Sequence, residues 1–422
     1  MKAVRRRVVV SGIGVLSAVG IGRDAFWSGV HSARSPVRRI DRFDPASFRS
    51  QVAAQIDDFE PLDHMDGRAA RTLDRFSQFG VAAGRMAVAD AALEPGTRGA
   101  PAAERIGVYI GSALGGIAFA ESQHERYLAK GIRSVSPMLA LAVFGGAAPA
   151  NLGIALNLRG PILSTANSCA AGAVAIGEAV AAIRQGTIDA AVAGGIDCPL
   201  SPLAFGAFDV IRALSNGHND APERAARPFD RQRDGFVMGE GAGLLVLEAW
   251  DVAVRRGSEP YAEVLGYAAT SDAHHMVQPR PDGREAARAV TLALVDARVD
   301  ASEIDYVSAH ASSTPIGDVA EARALVRALG PHASVVSVSG TKALTGHPLG
   351  ATGAIEAAMC GLVIRDRWAP GTANLETPDE ETASLLPRLL RDGAAGDFRR
   401  LLSTSFGFGG LNAALVFGRP DG

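Results

Sequence analysis

Short β-branched runs recur along this 422-residue chain, and alanine-rich windows separate them. The runs are "VVVSGIGV", "RIGVYIGSA", "AAVAGGID" and "GLLVLEAW" in the first part, then "YAEVLGYAAT", "IDYVSAH", "VVSVSG" and "AALVFG". Windows such as "FSQFGVAAGRMAVADAAL" and "GREAARAVTLALVDA" have the apolar spacing of helices packed on a sheet. Strands alternating with such helices predict an α/β architecture. The length suits two medium domains or one large two-part unit. A seam is expected near "VAVRRGSEPYAEV", where a charged helix end, Gly257 and Pro260 precede a new strand, dividing the chain into 1–255 and 256–422.

The two parts also resemble each other. "SCAAGAVAIGEAVAAI" and "HPLGATGAIEAAMCGLVI" are both small-residue helical windows that follow a strand and a loop, which points to duplicated units. Small residues let such helices approach closely in the middle of a protein.

Charge and cysteine usage remove several classes of function. Lys+Arg of 42 against Asp+Glu of 45 gives a net charge of -3 with no long basic or acidic block, so nucleic acid is not an expected partner. Cys169, Cys198 and Cys360 are widely spaced and form no C-x-x-C, which predicts neither a disulfide framework nor a metal site and fits a reducing cytoplasm. The start "MKAVRRRVVVSGIGVLSAVG" mimics a signal peptide, but Ser11, Gly12 and Gly14 interrupt its apolar run, and it reads better as a strand entering a glycine loop. Ser134 to Leu158 is uncharged and long enough to span a bilayer. Pro137, Gly145, Gly146, Pro149 and Asn151 punctuate it, and a buried helix and loop are expected instead.

Chemistry gathers in four segments. In "STANSCAAG", Cys169 stands where a strand-like run gives way to a helix; it is either a buried filler or a nucleophile whose thiolate the helix start would favour. "VSAHASSTPIGD" and "VSGTKALTGHPLGATGAIE" place His310 and His347 after strands or in polar loops, with Lys342 and Glu356 nearby. Each histidine alone reads equally as a structural hydrogen-bonder. Together with a cysteine they could perform acyl transfer followed by carbanion chemistry, the imidazole N–H groups donating to a carbonyl oxygen as enolate charge develops. In "SFGFGGLN", Phe406 and Phe408 flanked by glycines form either a gate beside an acyl pocket or a plain turn.

Taken in order, "NSCAAG", "HASSTPIGD", "KALTGHPLGATG" and "GFGGLN" resemble the motifs of the β-ketoacyl synthases of the thiolase-fold superfamily, closest to the elongating type that works with acyl carrier protein. The resemblance covers nearly the whole chain. It implies a thiolase fold of two related halves forming a layered αβαβα sandwich, with the nucleophile in the first half and the histidine pair and Gly/Phe loop in the second. It implies that Cys169 takes the acyl chain, that the N–H groups of Cys169 and Phe406 form the oxyanion hole, and that His310 and His347 hold the malonyl thioester carbonyl. Lys342 and Glu356 would shape charge and water around the histidines, and Ser312 and Thr314 would hold the phosphopantetheine arm. Leu114 and Phe208 fall where the family lines its acyl tunnel, Phe408 belongs to the gate, and Arg68, Arg71 and Arg75 offer a landing site for an acidic carrier.

The implied reaction is decarboxylating Claisen condensation in type II fatty-acid or specialised polyketide or polyene synthesis. It needs no metal or redox cofactor, because loss of carbon dioxide itself generates the carbon nucleophile; phosphopantetheine arrives on the carrier protein as a substrate arm. The implied assembly is a homodimer, or a heterodimer with a chain-length partner. An inactive chain-length subunit and a non-decarboxylating acyltransferase of the same fold are the rival readings, and both are disfavoured by Cys169 together with two histidines. A dinucleotide reading of "VVVSGIGVLSAVG" fails at Ser17, where the third glycine belongs. Two departures stand out. Ala311 replaces a glycine and Ser312 a threonine, so that a methyl group is expected near the pantetheine channel, and "NSC" replaces "TAC".

Overall fold

The computed structural model describes residues 5–421. Ten strands form the main path of an eleven-stranded sheet: β1 Val8–Ser17, β2 Ile106–Gly111, β3 Ile162–Thr165, β4 Ala190–Asp197, β5 Gly241–Ala249, β6 Ala262–Ser271, β7 Tyr306–Ser308, β8 Ser337–Ser339, β9 Arg400–Gly407 and β10 Leu411–Gly418. Their spatial order is β3-β2-β4-β5-β1 in the first half and β8-β7-β9-β10-β6 in the second. In both halves the first three strands of that order run parallel and the last two antiparallel, so one topology occurs twice. Among the described residues the two halves of the sheet pair through Val9–Glu263 and Val10–Ala262.

The helices repeat the pattern. Those used below are α1 Gly67–Thr72, α2 Arg75–Asp90, α3 Ile117–Lys130, α4 Ala147–Leu156, α5 Ala171–Arg184, α6 Pro202–Val210, α7 Arg284–Ala297, α8 Gly317–Leu329 and α9 Thr352–Asp366. α2 packs on β1, β5 and β4, and α7 packs on β6 and β10. α5 and α9 lie between the sheet halves and touch strands of both, making the middle layer of an αβαβα sandwich. Their faces must be small. A Cβ on Gly172 would stand 2.7 Å from the Gly350 carbonyl oxygen, and one on Gly353 would stand 3.0 Å from the Cβ of Ala173.

A buried carboxylate reinforces this centre. Asp197, at the end of β4, accepts the Ser112 hydroxyl (2.7 Å), the Ala113 and Leu114 N–H groups (2.8 and 3.1 Å) and the Gly350 N–H (2.7 Å). Gly350 belongs to the second half, so one side chain binds the β2–α3 loop to the segment after His347. Removing it would orphan these donors, a cost of about 1–3 kcal/mol for each one left unpaired.

The signal-like stretch forms β1 from Val8 onward, buried throughout; residues 1–4 of the stretch lie outside the described residues. The uncharged segment 134–158 departs from expectation. Its helices are short, and Leu141, Phe144 and Ile154 are exposed, because no element among the described residues covers them beside edge strand β3. Among the described residues no helix is long and apolar enough to cross a membrane.

Candidate active site

Cys169 occupies a helical turn, Ser168–Ala170, that leads into α5. Ser168 is in the left-handed region (φ 52°), an unusual conformation for a residue with a Cβ and one found at functional sites. His347 lies five residues before α9, fixed by backbone bonds from its N–H to the Val237 carbonyl (2.7 Å) and from the Gly239 N–H to its own carbonyl (3.1 Å). "DRQRDGFVMGEGAG" thus supplies the frame that seats this histidine. His347 Nε2 lies 3.0 Å from Cys169 Sγ, and its Nδ1 lies 2.8 Å from the Thr352 hydroxyl, which orients the ring.

His310 follows β7, its ring edge-on to His347 with centroids 5.3 Å apart. Its N–H is shared between Glu321 Oε1 (2.8 Å) and Thr404 Oγ1 (3.1 Å), while its carbonyl accepts the Lys342 ammonium. That ammonium also binds Glu356 Oε1 at 2.6 Å, and both partners are buried. Cys169 Sγ and the nearest nitrogens of His310 and His347 all lie within 4.8 Å of one another. One sulfur and two imidazoles so placed could ligate a thiophilic cation, and they are also the three groups that acyl transfer requires.

Burial dominates the electrostatics. It pushes the Cys169 thiol up, against the lowering pull of Ser168, Lys342 and the Phe408 N–H, so the helix start does not leave a ready thiolate as the sequence had suggested. Desolvation also holds His310 and His347 well below 6.5, with the Lys342 charge as a further cause for both. Burial raises Glu356 to about 7 despite Lys342. The resting site is therefore a thiol beside neutral imidazole, poised to pass its proton to His347.

A cavity of about 350 Å³ leads to Cys169 and is lined by His310, His347, Phe406, Phe408, Ser312 and Thr314 among others. The Ser312 and Thr314 hydroxyls stand 2.9 Å apart. Leu114 and Phe208 pack in one apolar cluster with Cys169 and Phe408, and the Phe208 and Phe408 rings are stacked at 6.0 Å.

Three expectations are corrected. The Phe408 N–H acts to lower the Cys169 thiol, whereas Phe406, the expected oxyanion donor, lies in β9 opposite Asn412, one pleat repeat earlier, with its ring 6.3 Å from His310. Arg75 is not a free docking cation: it binds the buried Glu240 at 2.8 and 2.9 Å and lies over the Phe79 ring, while Arg68 and Arg71 on α1 are exposed. The Ala311 methyl does not enter the channel, because Ala311 is fully buried in the core behind it. Sequence reasoning also missed Thr352, Glu321 and Thr404, whose types carry no signal without the fold, and Arg212, an exposed cation on the cavity wall.

Neutral histidines make a testable consequence. The unfolded chain takes up protons near 6.5 where the folded one does not, so these two residues contribute stability above that pH that is lost as pH falls below it. Nitrogen-labelled histidine NMR is expected to show both rings still neutral at about pH 6, half a unit below the ordinary midpoint. A midpoint near the ordinary value for either ring would contradict the buried, uncharged site.

The profile "Beta-ketoacyl synthase, N-terminal domain" matches residues 5–253 and "Beta-ketoacyl synthase, C-terminal domain" matches residues 261–376. The chain is 40% identical over 417 residues to "3-oxoacyl-[acyl-carrier-protein] synthase 2" of Vibrio cholerae, covering 98% of this chain and 99% of that protein. It is 39% identical over 416 residues to the protein of the same name from Coxiella burnetii, again covering 98% and 99%. Among solved structures, a β-ketoacyl synthase from Burkholderia phymatum superposes with a TM-score of 0.90 at 34% identity, covering 99% of this chain and all of that one. The ishigamide ketosynthase/chain length factor gives 0.91 at 33% identity, with the same coverage. A type II polyketide ketosynthase solved with its acyl-carrier protein gives 0.89 at 32%, also with the same coverage. With both profiles matched and full-length relatives at this identity, the chain belongs to the β-ketoacyl synthase family.

Proposed function

We propose that this chain condenses an acyl group held on Cys169 with malonyl-acyl carrier protein, releasing carbon dioxide and a β-ketoacyl-acyl carrier protein. The carrying observation is the cluster of one cysteine and two neutral histidines at the bottom of a cavity. In the first half-reaction the Cys169 sulfur attacks the carrier thioester; its proton passes through His347 to the departing carrier thiol, and the Phe408 N–H stabilises charge on the tetrahedral oxygen beside that of Cys169. In the second, the malonyl C–C bond breaks and its electron pair becomes an enolate, held by N–H groups of His310 and His347. The enolate carbon attacks the acyl-Cys carbonyl, the thiolate leaves, and a proton from solvent restores the thiol.

Ser312 and Thr314 are read as hydroxyls along the pantetheine arm, and Leu114, Phe208 and Phe408 as the acyl side. Lys342, itself held by Glu356, acts through His310 by donating to its carbonyl. Arg68, Arg71 and Arg212 are the exposed cations available to an acidic carrier, whose local steering depends on such patches rather than on net charge. The division into 1–255 with the nucleophile and 256–422 with the histidines is supported by the repeated strand order.

A dimer belongs to this reading. Strand β3 is an edge whose Ile162 and Leu163 are exposed, next to the uncovered Leu141, Phe144 and Ile154. An apolar edge of this kind invites pairing with a second chain, either a copy or a chain-length partner. Sedimentation should give a dimer for the wild type and a monomer for Leu163→Arg; a monomeric wild type would exclude the homodimer.

Variants separate the half-reactions. Cys169→Ala should lose primer transfer and condensation yet keep malonyl decarboxylation, whereas His310→Ala should lose decarboxylation by about 10²–10⁴-fold, the range for a group acting on the reacting atoms. Condensation by Cys169→Ala, read by product chromatography, would overturn the assignment, as would full decarboxylation by His310→Ala.

A further inference from the structure

The catalytic loop contains an alanine in a conformation that suits glycine. Ala311 has φ 34° and is fully buried, in an apolar cluster that also holds Val338 and Leu402. Beside it lies Gly340, which is also buried and whose backbone is outside the positive-φ region. The backbone therefore does not demand glycine at 340. Space does: a Cβ built there would stand 2.5 Å from the Cβ of Ala311 and 2.9 Å from that of Pro228.

We propose that Ala311 and Gly340 are a size-coupled pair of positioning residues that sets where His310 stands, the methyl at 311 being accommodated because 340 has none. This rests on the functional reading above. β7 and β8 run parallel with Ser308 paired to Ser339, and the Ala309 N–H bonds the Ser339 carbonyl at 2.9 Å, so the two strands deliver His310 and Lys342 on adjoining turns. The Ala311 N–H reaches Glu321 Oε2 at 2.6 Å, His310 reaches the same carboxylate, and Lys342 holds the peptide carbonyl between His310 and Ala311. Restoring ordinary carbon contact after adding a methyl at 340 would displace Ala311 by about 1 Å. His310 shares that peptide and would move with it, and a displacement of this size can cost about a hundredfold in rate.

The test compares wild type, Gly340→Ala, Ala311→Gly and the double variant. Three readouts are needed: malonyl decarboxylation, acylation of Cys169 by a primer thioester, and thermal midpoint. Gly340→Ala is expected to lower decarboxylation by about tenfold or more, to lower acylation less, and to lower the midpoint; adding Ala311→Gly should recover most of the decarboxylation and midpoint losses. Wild-type behaviour of Gly340→Ala would overturn the pairing. So would a double variant no better than Gly340→Ala alone, which would make Pro228 the obstacle. If Gly340→Ala does not fold, folding of the double variant supports the pair and its failure refutes it. A wild type that neither loads nor decarboxylates would sink the functional reading instead, and the midpoints would still decide the pair: recovery supports it, and simple additivity contradicts it.

Discussion

The close approach of two helices stripped of side chains brings the reactive groups together. Gly172 and Ala173 at the start of α5 face Gly350, Gly353 and Ala354 around the start of α9, with clearances that admit no further carbon. Cys169 precedes one helix and His347 the other, so this contact carries the sulfur to 3.0 Å from the imidazole across a gap of 178 residues in sequence. Larger residues there would part the sheet halves and the catalytic groups together. Asp197 acts in the same place, binding Gly350 and the loop of Leu114 to the end of β4.

That burial also sets the chemistry. Removing water raises the thiol and lowers both imidazoles, so the cysteine and the two histidines rest uncharged near the Lys342–Glu356 pair. A neutral imidazole can accept a thiol proton in one half-reaction and donate to an enolate oxygen in the other. Burial, aided by the Lys342 charge, keeps the histidines unprotonated, and Lys342 also anchors the His310 carbonyl, which ties electrostatics to position.

Much of this was legible because period and punctuation carry it. Eight strand-like runs, the small-residue helices and the residues Cys169, His310, His347, Lys342 and Glu356 stand where the fold uses them. What escaped depends on facts that no local pattern holds. β9 was hidden because "SFGFGG" reads as a glycine turn, although Arg400–Gly407 is a paired strand. The same concealment hid that Phe406 lies within the strand and Phe408 just past its end. Arg75 looked like a solvated cation until Glu240 arrived from 165 residues away. The Ala311 methyl looked channel-facing because its left-handed backbone, which turns it into the core, leaves no trace in composition.

The central claim is that Cys169, raised in pKa but held against His347, is the acyl carrier of the reaction. Intact-protein mass spectrometry after incubation with a panel of acyl-carrier-protein thioesters tests it most directly, with Cys169→Ser as the control. The account predicts a single acyl adduct on the wild type, mapped to Cys169 and absent from the control. An unmodified wild type with every primer, or an adduct on another residue, would contradict it.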